Sequence, residues 1–193
     1  MMLRSSAADA PRPGAGQGAA LSHSLPSAPV TLSERSLTAL ALVRVFFGFL
    51  WFQQLAWKMP PDFGGLRTDV VREMQHTILP GYSAIIQNVF LAHYSVLGAC
   101  IWAAELLVGV SLLFGLFTRL GAGLALLLSI QLYVGIAYAP GEWYWAYGML
   151  LMLSLTLLAV PAGRRLGIDQ ALQPWLSQKA KTRRVARLLL RLV

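Results

Sequence analysis

The chain carries four long apolar segments, at about residues 37–57, 96–117, 120–138 and 143–160. Each is close to the roughly 20 residues that a helix needs to cross a hydrocarbon core of about 30 Å. Only a short turn around Arg119 separates the second segment from the third, and the sequence APGE separates the third from the fourth. Such short connections predict tight antiparallel hairpins. The pattern therefore predicts an all-α fold, an integral membrane four-helix bundle.

Apolar residues also recur at helical spacing in the connection between the first two segments, residues 58–95. RTDVVREMQHTI and YSAIIQNVFLAHY both show this spacing, and the second is expected to place Ile85, Ile86, Val89 and Phe90 on one side. We expect short interfacial helices in this outer loop. They either cap the end of the bundle or form a lid over a ligand site.

The two ends of the chain differ from the segments between them. Residues 1–33 are rich in Ala, Gly, Pro and Ser without a period, which predicts a disordered cytoplasmic tail. Residues 34–172 form the predicted membrane domain. Residues 173–193 include KTRRVARLLLRLV, which combines arginines with apolar residues at helical spacing. This pattern predicts a basic amphipathic C-terminal helix on anionic inner-leaflet lipids, where each cation contributes about 1 kcal/mol.

Composition supports a lipid environment. The chain is 56% apolar and 12% charged, which is too apolar for an ordinary soluble domain. Its net charge of +8 predicts no nucleic-acid partner, because half of the Lys and Arg residues follow the last apolar segment. With Arg35 and Arg119, they predict a multi-pass protein of the cell membrane with both termini cytoplasmic. Lys58, Arg67 and Arg72 in the outer loop are the contrary observation.

Cysteine and histidine are scarce. Cys100 is the one cysteine of the sequence, which excludes an internal disulfide, a CxxC redox pair and a cysteine-ligated cluster within one chain. His23, His76 and His93 lie in the N-terminal tail or in the outer loop, so they cannot face each other inside the membrane as haem ligands. We therefore expect that the chain has no haem, metal or disulfide centre of its own. Any redox chemistry would use a diffusible or partner-held cofactor.

Polar residues lie deep in the predicted spans. Glu105 and Gln131 are each thirteen residues from Thr118, which places both roughly 20 Å from that turn. Arg44 lies about 12 Å up the first helix and reaches Glu105 only if its side chain is fully extended. Because an ionisable group costs at least about 2.5–3.5 kcal/mol at the centre of a span, both should face the bundle interior. Glu105 is then either ionised beside Arg44 or a bound cation, or neutral and able to carry a proton.

A polar clasp of Glu105, Gln131 and Arg44 that only fixes helix register is an equally open interpretation. Interhelical hydrogen bonds average about 0.6 kcal/mol in membranes, so stability alone is a weak reason to keep such costly groups. Gln53, Tyr133 and Tyr147 add polar groups at or above this depth, the last within EWYWAY, whose other aromatic residues suit an interfacial belt. Glu105, Gln131 and Tyr147 would line a flat, mostly apolar slot typical of a quinone site.

Several motifs stand out across the chain. The first span contains Arg44 and Gly48 and is followed by Lys58. The hairpin of the second and third spans contains a glutamate followed by LLFGLFTRLGA. The fourth span begins with EWYWAY and is followed by GRRLGID. Over residues 37–172 the chain resembles the DoxX family, in its DoxD-like branch. The resemblance implies a four-span protein related to the small subunit of thiosulfate:quinone oxidoreductase, which passes electrons to quinone with a second subunit. The DoxX branch is also associated with membrane-bound thiol redox complexes.

We therefore expect an integral membrane subunit of a quinone-linked oxidoreductase, with a soluble or membrane redox partner. Glu105 is the candidate for proton handling. The candidate quinone contacts are Gln131, Tyr147, Arg44, Gln53 and Tyr133. The alternative is a non-catalytic membrane anchor or assembly protein for a soluble redox partner. A small proton-coupled transporter ranks third, because the sequence shows no clear inverted repeat.

Overall fold

The structure is a computed structural model that describes residues 33–160, 162–181 and 183–192. Within these residues the fold is all-α, with eight α-helices and no β-strand. The predicted tail 1–33 lies outside the described residues except for Ser33, which caps the first helix. The helices are α1 (Glu34–Gln53), α2 (Gly64–His76), α3 (Tyr82–Ile85), α4 (Tyr94–Phe114), α5 (Thr118–Gly135), α6 (Tyr144–Ala159), α7 (Ile168–Ala180) and α8 (Arg184–Leu192).

Three of the described helices are long and apolar enough to cross a membrane: α1 with the 3-10 turn that follows it (Glu34–Trp57), α4 and α5. This indicates a multi-pass membrane protein. The fourth apolar segment of the sequence forms α6, which has 16 residues and is shorter than the roughly 20 that a perpendicular span requires. All four helices contribute to one core, with Phe47, Val108, Ala125 and Leu157 among its buried side chains.

Two glycines set the register between α1 and α4. A methyl group added to Gly48 would lie 2.5 Å from the backbone nitrogen of Leu113, and one added to Gly109 would lie 3.1 Å from the Cα of Phe52. The two helices are therefore in close backbone contact at both levels. One further turn along this antiparallel pairing brings Glu105 opposite the end of the 3-10 turn, just before Lys58.

Gly48→Ala is expected to destabilise the bundle, because the added methyl group meets backbone atoms that cannot rotate away. Overpacking of this kind costs about 1–3 kcal/mol. Thermal unfolding of the purified protein in detergent measures the effect. Gly148→Ala in α6 is the matched control, since no atom lies within 4 Å of its added methyl group. Equal midpoints for the two variants would contradict the close approach of α1 and α4.

The 58–95 connection folds back over one end of the bundle, and both of its apolar-spaced stretches are helical. One stretch forms α2, and the other forms α3 and the π-helical turn Ile86–Phe90. A second apolar cluster joins this cap to α4 through Phe63, Leu66, Val70, Ile86 and the partly buried Ile101 and Trp102. On α5, the carbonyl of Val134 accepts hydrogen bonds from the Ile78 backbone N–H and the Thr77 hydroxyl, each at 3.1 Å.

The four apolar residues that the second stretch is predicted to place on one side differ in their burial. Ile86 is 3% exposed, whereas Ile85 and Val89 are 56% and 51% exposed. On a helix of 3.6 residues per turn, residues 85, 86, 89 and 90 cover an arc of about 140°. Packing against the bundle buries one side of this arc and leaves the other open.

The segment after α6 returns to the opposite end of the bundle. The fully buried Arg44 donates from Nη1 to the carbonyl of Ala162 at 2.9 Å and from Nη2 to the carbonyl of Leu166 at 2.7 Å. The Asp169 carboxylate accepts both backbone N–H groups of the α4–α5 turn, at 2.7 and 2.9 Å. The motif GRRLGID thus fixes the start of α7, which runs to Ala180, through the predicted domain boundary at residue 172.

Candidate functional site

The centre of the candidate site is a buried ion pair. Lys58 Nζ lies 2.6 Å from Glu105 Oε1, and the two residues are 4% and 3% exposed. The glycine register described above brings them together, since Lys58 follows the 3-10 turn after α1 and Glu105 lies in the middle of α4. The second carboxylate oxygen, Glu105 Oε2, is buried without a hydrogen-bond partner among the described residues. Such an orphaned acceptor is expensive and needs an explanation.

A cavity of about 480 Å³ lies against this ion pair and is called the first cavity. Its walls combine apolar side chains from α1, α5 and α6 with charged ones from α2, α4 and the APGE connection. The residues that line it are Leu50, Trp51, Gln54, Trp57, Lys58, Asp69, Arg72, Glu105, Leu132, Ile136, Glu142, Tyr147 and Leu150. Trp51 contributes a buried Nε1–H group that has no acceptor among the described residues. This nitrogen and Glu105 Oε2 have almost no accessible surface, so neither atom is open to the space of the cavity.

A second cavity, of about 210 Å³, lies under the cap helices. It shares Lys58, Asp69, Glu105 and Leu132 with the first cavity. Its other walls come from α2, α3, α4, α5 and the π-helical turn: Leu66, Val70, Glu73, Tyr82, Ile86, Phe90, Ile101 and Gln131. The ion pair is thus part of the wall of both cavities.

An ionic and hydrogen-bonded network borders the first cavity. Arg72 Nη1 lies 2.8 Å from Glu142 Oε1, and Tyr147 donates its hydroxyl to Glu142 Oε2 at 2.7 Å. Arg72 also donates to the carbonyl of Pro140 at 3.2 Å. The network joins the cap helix α2 to the start of α6. It holds one side of the first cavity by contacts that are partly open to solvent.

Glu73 carries the polar chemistry of the second cavity. The residue is 4% exposed, and its Oε2 accepts a hydrogen bond from Gln131 Nε2 at 2.5 Å. Its carboxyl group lies directly over Gly135, where an added methyl group would be 2.9 Å from Glu73 Cδ. The absence of a side chain at Gly135 therefore makes room for a carboxyl group between α2 and α5.

Burial raises the pKa of Glu73 to about 7, although the hydrogen bond from Gln131 and the charge of Lys58 act in the opposite direction. The neighbouring carboxyl of Asp69 raises the pKa of Glu73 further. Burial also raises the pKa of Asp69 itself, and Lys58 and Arg72 oppose that shift. Glu73 is therefore a carboxyl group that exchanges its proton near neutral pH.

The stability of the folded chain is expected to fall as the pH rises from about 4.5 to about 7. Unfolded Glu73 has the ordinary pKa near 4.5, so in this window the folded protein holds the proton more tightly, and ionisation favours unfolding. The effect is at most about 3 kcal/mol. Thermal unfolding of wild type at about pH 5 and about pH 8 measures it. Glu73→Gln should remove most of the dependence, and Asp62→Asn, at an exposed acid of the same loop, should leave it intact.

Three of the residues selected from the sequence meet at this site. Glu105 lines both cavities, Tyr147 lines the first and Gln131 lines the second. Gln53 is exposed and does not line either cavity, and Tyr133 forms a hydroxyl contact of 3.1 Å with Tyr138 instead.

The expectation that Arg44 sets the charge near Glu105 is corrected by the structure. The guanidinium group of Arg44 points toward the carbonyls of Ala162 and Leu166 at the other end of the bundle. The cation beside Glu105 is Lys58. Arginine is well suited to this end, because several backbone carbonyls after a helix C-terminus lack intrahelical donors.

Sequence reasoning missed Lys58, Asp69, Arg72, Glu73 and Glu142 as site residues. One signal was present for Glu73: it follows Leu66 and Val70 at the spacing i, i+4 and i+7, which places a carboxyl group on the apolar face of α2. Both apolar residues of this series are buried, as Glu73 is.

Among the described residues, no group of three or more His, Cys, Asp or Glu side chains is placed to hold a metal ion. No protein-family model, curated protein or solved structure matches the chain. The resemblance to the DoxX family therefore stays a hypothesis, and the geometry of the site is the basis for a functional proposal.

Proposed function

We propose that the chain is an integral membrane subunit of a quinone-linked oxidoreductase, and that it binds the quinone head group in the first cavity. The observation that carries this proposal is the buried Lys58–Glu105 pair in the wall of a cavity that combines apolar and charged side chains. Buried ionic groups in a membrane bundle are expensive and usually serve function. The DoxD-like motifs support the same class of protein, with sulfur or thiol redox chemistry at a partner subunit.

The chemistry of the first cavity fits a flat ring with two carbonyl acceptors. Its volume of about 480 Å³ is in the range of small-molecule sites. Lys58 has donor capacity beyond its bond to Glu105, because an ammonium group carries three N–H bonds. Gln54 also lines the cavity, and its side-chain amide can donate a second hydrogen bond. Leu50, Leu132 and Leu150 give the apolar surface against which a ring can pack.

Lys58 and Glu105 have distinct roles in this proposal. A bound quinone accepts two electrons and two protons when it is reduced. Lys58 donates a hydrogen bond to one carbonyl position and stabilises negative charge that develops there. Glu105 orients Lys58 and returns a proton to it, which is the proton-handling role expected from the sequence. Tyr147, held by Glu142, borders the opposite part of the cavity.

The membrane placement is part of the same proposal. The helices α1, α4, α5 and α6 are the four spans, and both termini are cytoplasmic. The cap lies at the outer interface, where the exposed side chains Ile78, Ile85 and Val89 can contact lipid. On the inner side, α8 exposes Val185 and Leu188 beside the basic residues of the C-terminal region, which suits anionic lipid.

Quinone titration tests the proposal. A short-chain ubiquinone or menaquinone analogue is titrated into the purified protein, and quenching of tryptophan fluorescence reports binding beside Trp51 and Trp57. Glu105→Gln and Lys58→Met are each expected to weaken binding about 10- to 100-fold, as loss of a hydrogen bond to a charged group does. Tyr133→Phe, outside both cavities, is the control. Equal, weak partitioning into all four proteins would remove the site.

The alternative function is a non-catalytic membrane anchor or assembly protein for a soluble redox partner. The basic residues beside the exposed Val185 and Leu188 of α8 favour attachment at a membrane surface. In that case, a soluble redox protein would co-purify with the chain, and Glu105→Gln would not change this association. Neither wild type nor Glu105→Gln would bind quinone.

A further inference from the structure

We propose that Glu73 is a proton relay residue that supplies the Lys58–Glu105 pair through the second cavity. The inference rests on the proposed function, because it requires a proton-consuming ligand in the first cavity. It assigns a role to the second cavity and to the buried carboxyl group of the cap helix.

The arrangement of the two cavities offers a separate proton route. A head group in the first cavity displaces water from the face of the ion pair that it contacts. The second cavity borders the same ion pair from the cap and stays free of the ligand. Its volume of about 210 Å³ has room for several waters at about 30 Å³ each. Lys58, Glu73 and Glu105 all line this cavity, so waters in it can connect the Glu73 carboxyl group with the ion pair.

Glu73 is positioned to exchange protons with that water. Gln131 fixes one oxygen of its carboxyl group at 2.5 Å, and the backbone of Gly135 supports the group from below. Several polar groups face it from the surrounding elements. These are Asp69 on the same helix, Lys58 after α1, Tyr82 on α3, Glu105 on α4 and Gln131 on α5.

The charges around Glu73 suit a relay better than a structural clasp. The carboxyl groups of Asp69 and Glu105 share the second cavity with the single ammonium group of Lys58, so ionised Glu73 adds a further negative charge. With its pKa raised to about 7 by burial, Glu73 is populated in both protonation states at neutral pH, which is the condition for efficient proton exchange. A clasp that served stability alone would be better made by a neutral amide pair.

The proton transfers balance within the chain. When the Lys58 ammonium group gives up a proton to the ligand, its N–H bond breaks and Lys58 becomes a neutral amine. The protonated Glu73 loses its O–H proton to the water of the second cavity, which passes one to Glu105. Glu105 then passes that proton to Lys58, and the ammonium–carboxylate pair is restored. Glu73, now a carboxylate, regains a proton from solvent, and a second turn of the same cycle delivers the second proton that the quinone takes up.

Proton uptake during rapid reduction tests the relay. The full chain is loaded with the quinone analogue and mixed with dithionite in a stopped-flow instrument, and a pH-indicator dye follows proton uptake while ultraviolet absorbance follows quinone reduction. In wild type the two signals should coincide. In Glu73→Gln, proton uptake should lag by about 100-fold or more, the usual size of a general acid–base contribution. Quinone affinity, measured separately by fluorescence, should change less than about threefold.

Two further variants keep the result specific. Glu73→Asp retains a carboxyl group and should recover part of the lost rate, whereas Asp62→Asn, at an exposed acid of the same loop, should behave as wild type. Normal proton uptake by Glu73→Gln with quinone bound overturns the relay and leaves the quinone site standing. Failure of wild type to bind quinone overturns both proposals.

Discussion

Lys58→Met is expected to destabilise the folded chain by about 3–5 kcal/mol, the range measured when one partner of a buried ion pair is removed. The reason is that Glu105, 3% exposed, would keep its charge without a cation, or would have to bind a proton in order to stay buried. Reversible unfolding in mixed detergent, followed by tryptophan fluorescence, measures the loss. Thermal unfolding gives an independent ranking of the variants.

The double variant Lys58→Met, Glu105→Leu separates stability from function. It removes both charges, so most of the lost stability should return, because apolar residues of similar size often replace a buried ion pair at little or no cost. Quinone affinity should remain low, since the donor to the ligand is still absent. A double variant that binds quinone as wild type does would show that the ion pair is only a structural clasp.

The helices that carry the site could be predicted from apolar patterning, because each long apolar segment coincides with one helix of the structure. The burial of Glu105 was also predictable, since hydrocarbon penalises a charge on any lipid-facing position. The partner of Glu105 could not be predicted in the same way. Lys58 lies beyond the end of α1, where a lysine side chain usually extends toward water, and only the close α1–α4 contact at Gly48 and Gly109 turns it toward Glu105.

The cap shows a second limit of sequence patterns. Helical spacing identified α2, and it also placed Glu73 on the face with Leu66 and Val70. The spacing cannot state which surface that face contacts. The contact with α5 depends on Gly135, whose missing side chain admits the carboxyl group, and on Gln131, which satisfies it. Both lie about sixty residues further along the chain than Glu73, so a local pattern cannot join them to it.

Arg44 shows why depth along a helix does not decide a partner. Its Cα lies between the two ends of the bundle, and an arginine side chain is long enough to reach either way. The acceptors decide the direction: Glu105 is already paired with Lys58, whereas the segment after α6 presents carbonyls that only a multiple donor can satisfy together. Gly167 allows this approach, because a methyl group added there would lie 2.7 Å from Arg44 Nη1.

Arg44→Met is therefore expected to release the start of the C-terminal region rather than to alter the proposed quinone site. The change leaves the carbonyls of Ala162 and Leu166 without their donors. The cost is about 1–3 kcal/mol for the buried carbonyl of Ala162 and less for the part-buried one of Leu166. Arg44→Lys should recover only part of this stability, because an ammonium group does not reproduce the planar fork of a guanidinium group. Hydrogen exchange of the α7 amides, measured by mass spectrometry, should show accelerated exchange in both variants.

Arg165→Gln provides the comparison for this prediction. Arg165 pairs with Glu34 at a partly exposed position, where ion pairs contribute about 0–1 kcal/mol, so exchange in α7 should change little. Quinone affinity of folded Arg44→Met should equal that of wild type, since the contact of Gly109 with Phe52 places Arg44 about 18 Å along the bundle from Glu105. If Arg44→Met lost quinone affinity while the amides of α7 kept their protection, Arg44 would belong to the proposed quinone site. That result would contradict the separation of the two ends of the bundle. The two buried cations among the described residues, Arg44 and Lys58, thus predict different phenotypes, one at the C-terminal segment and one at the proposed ligand site.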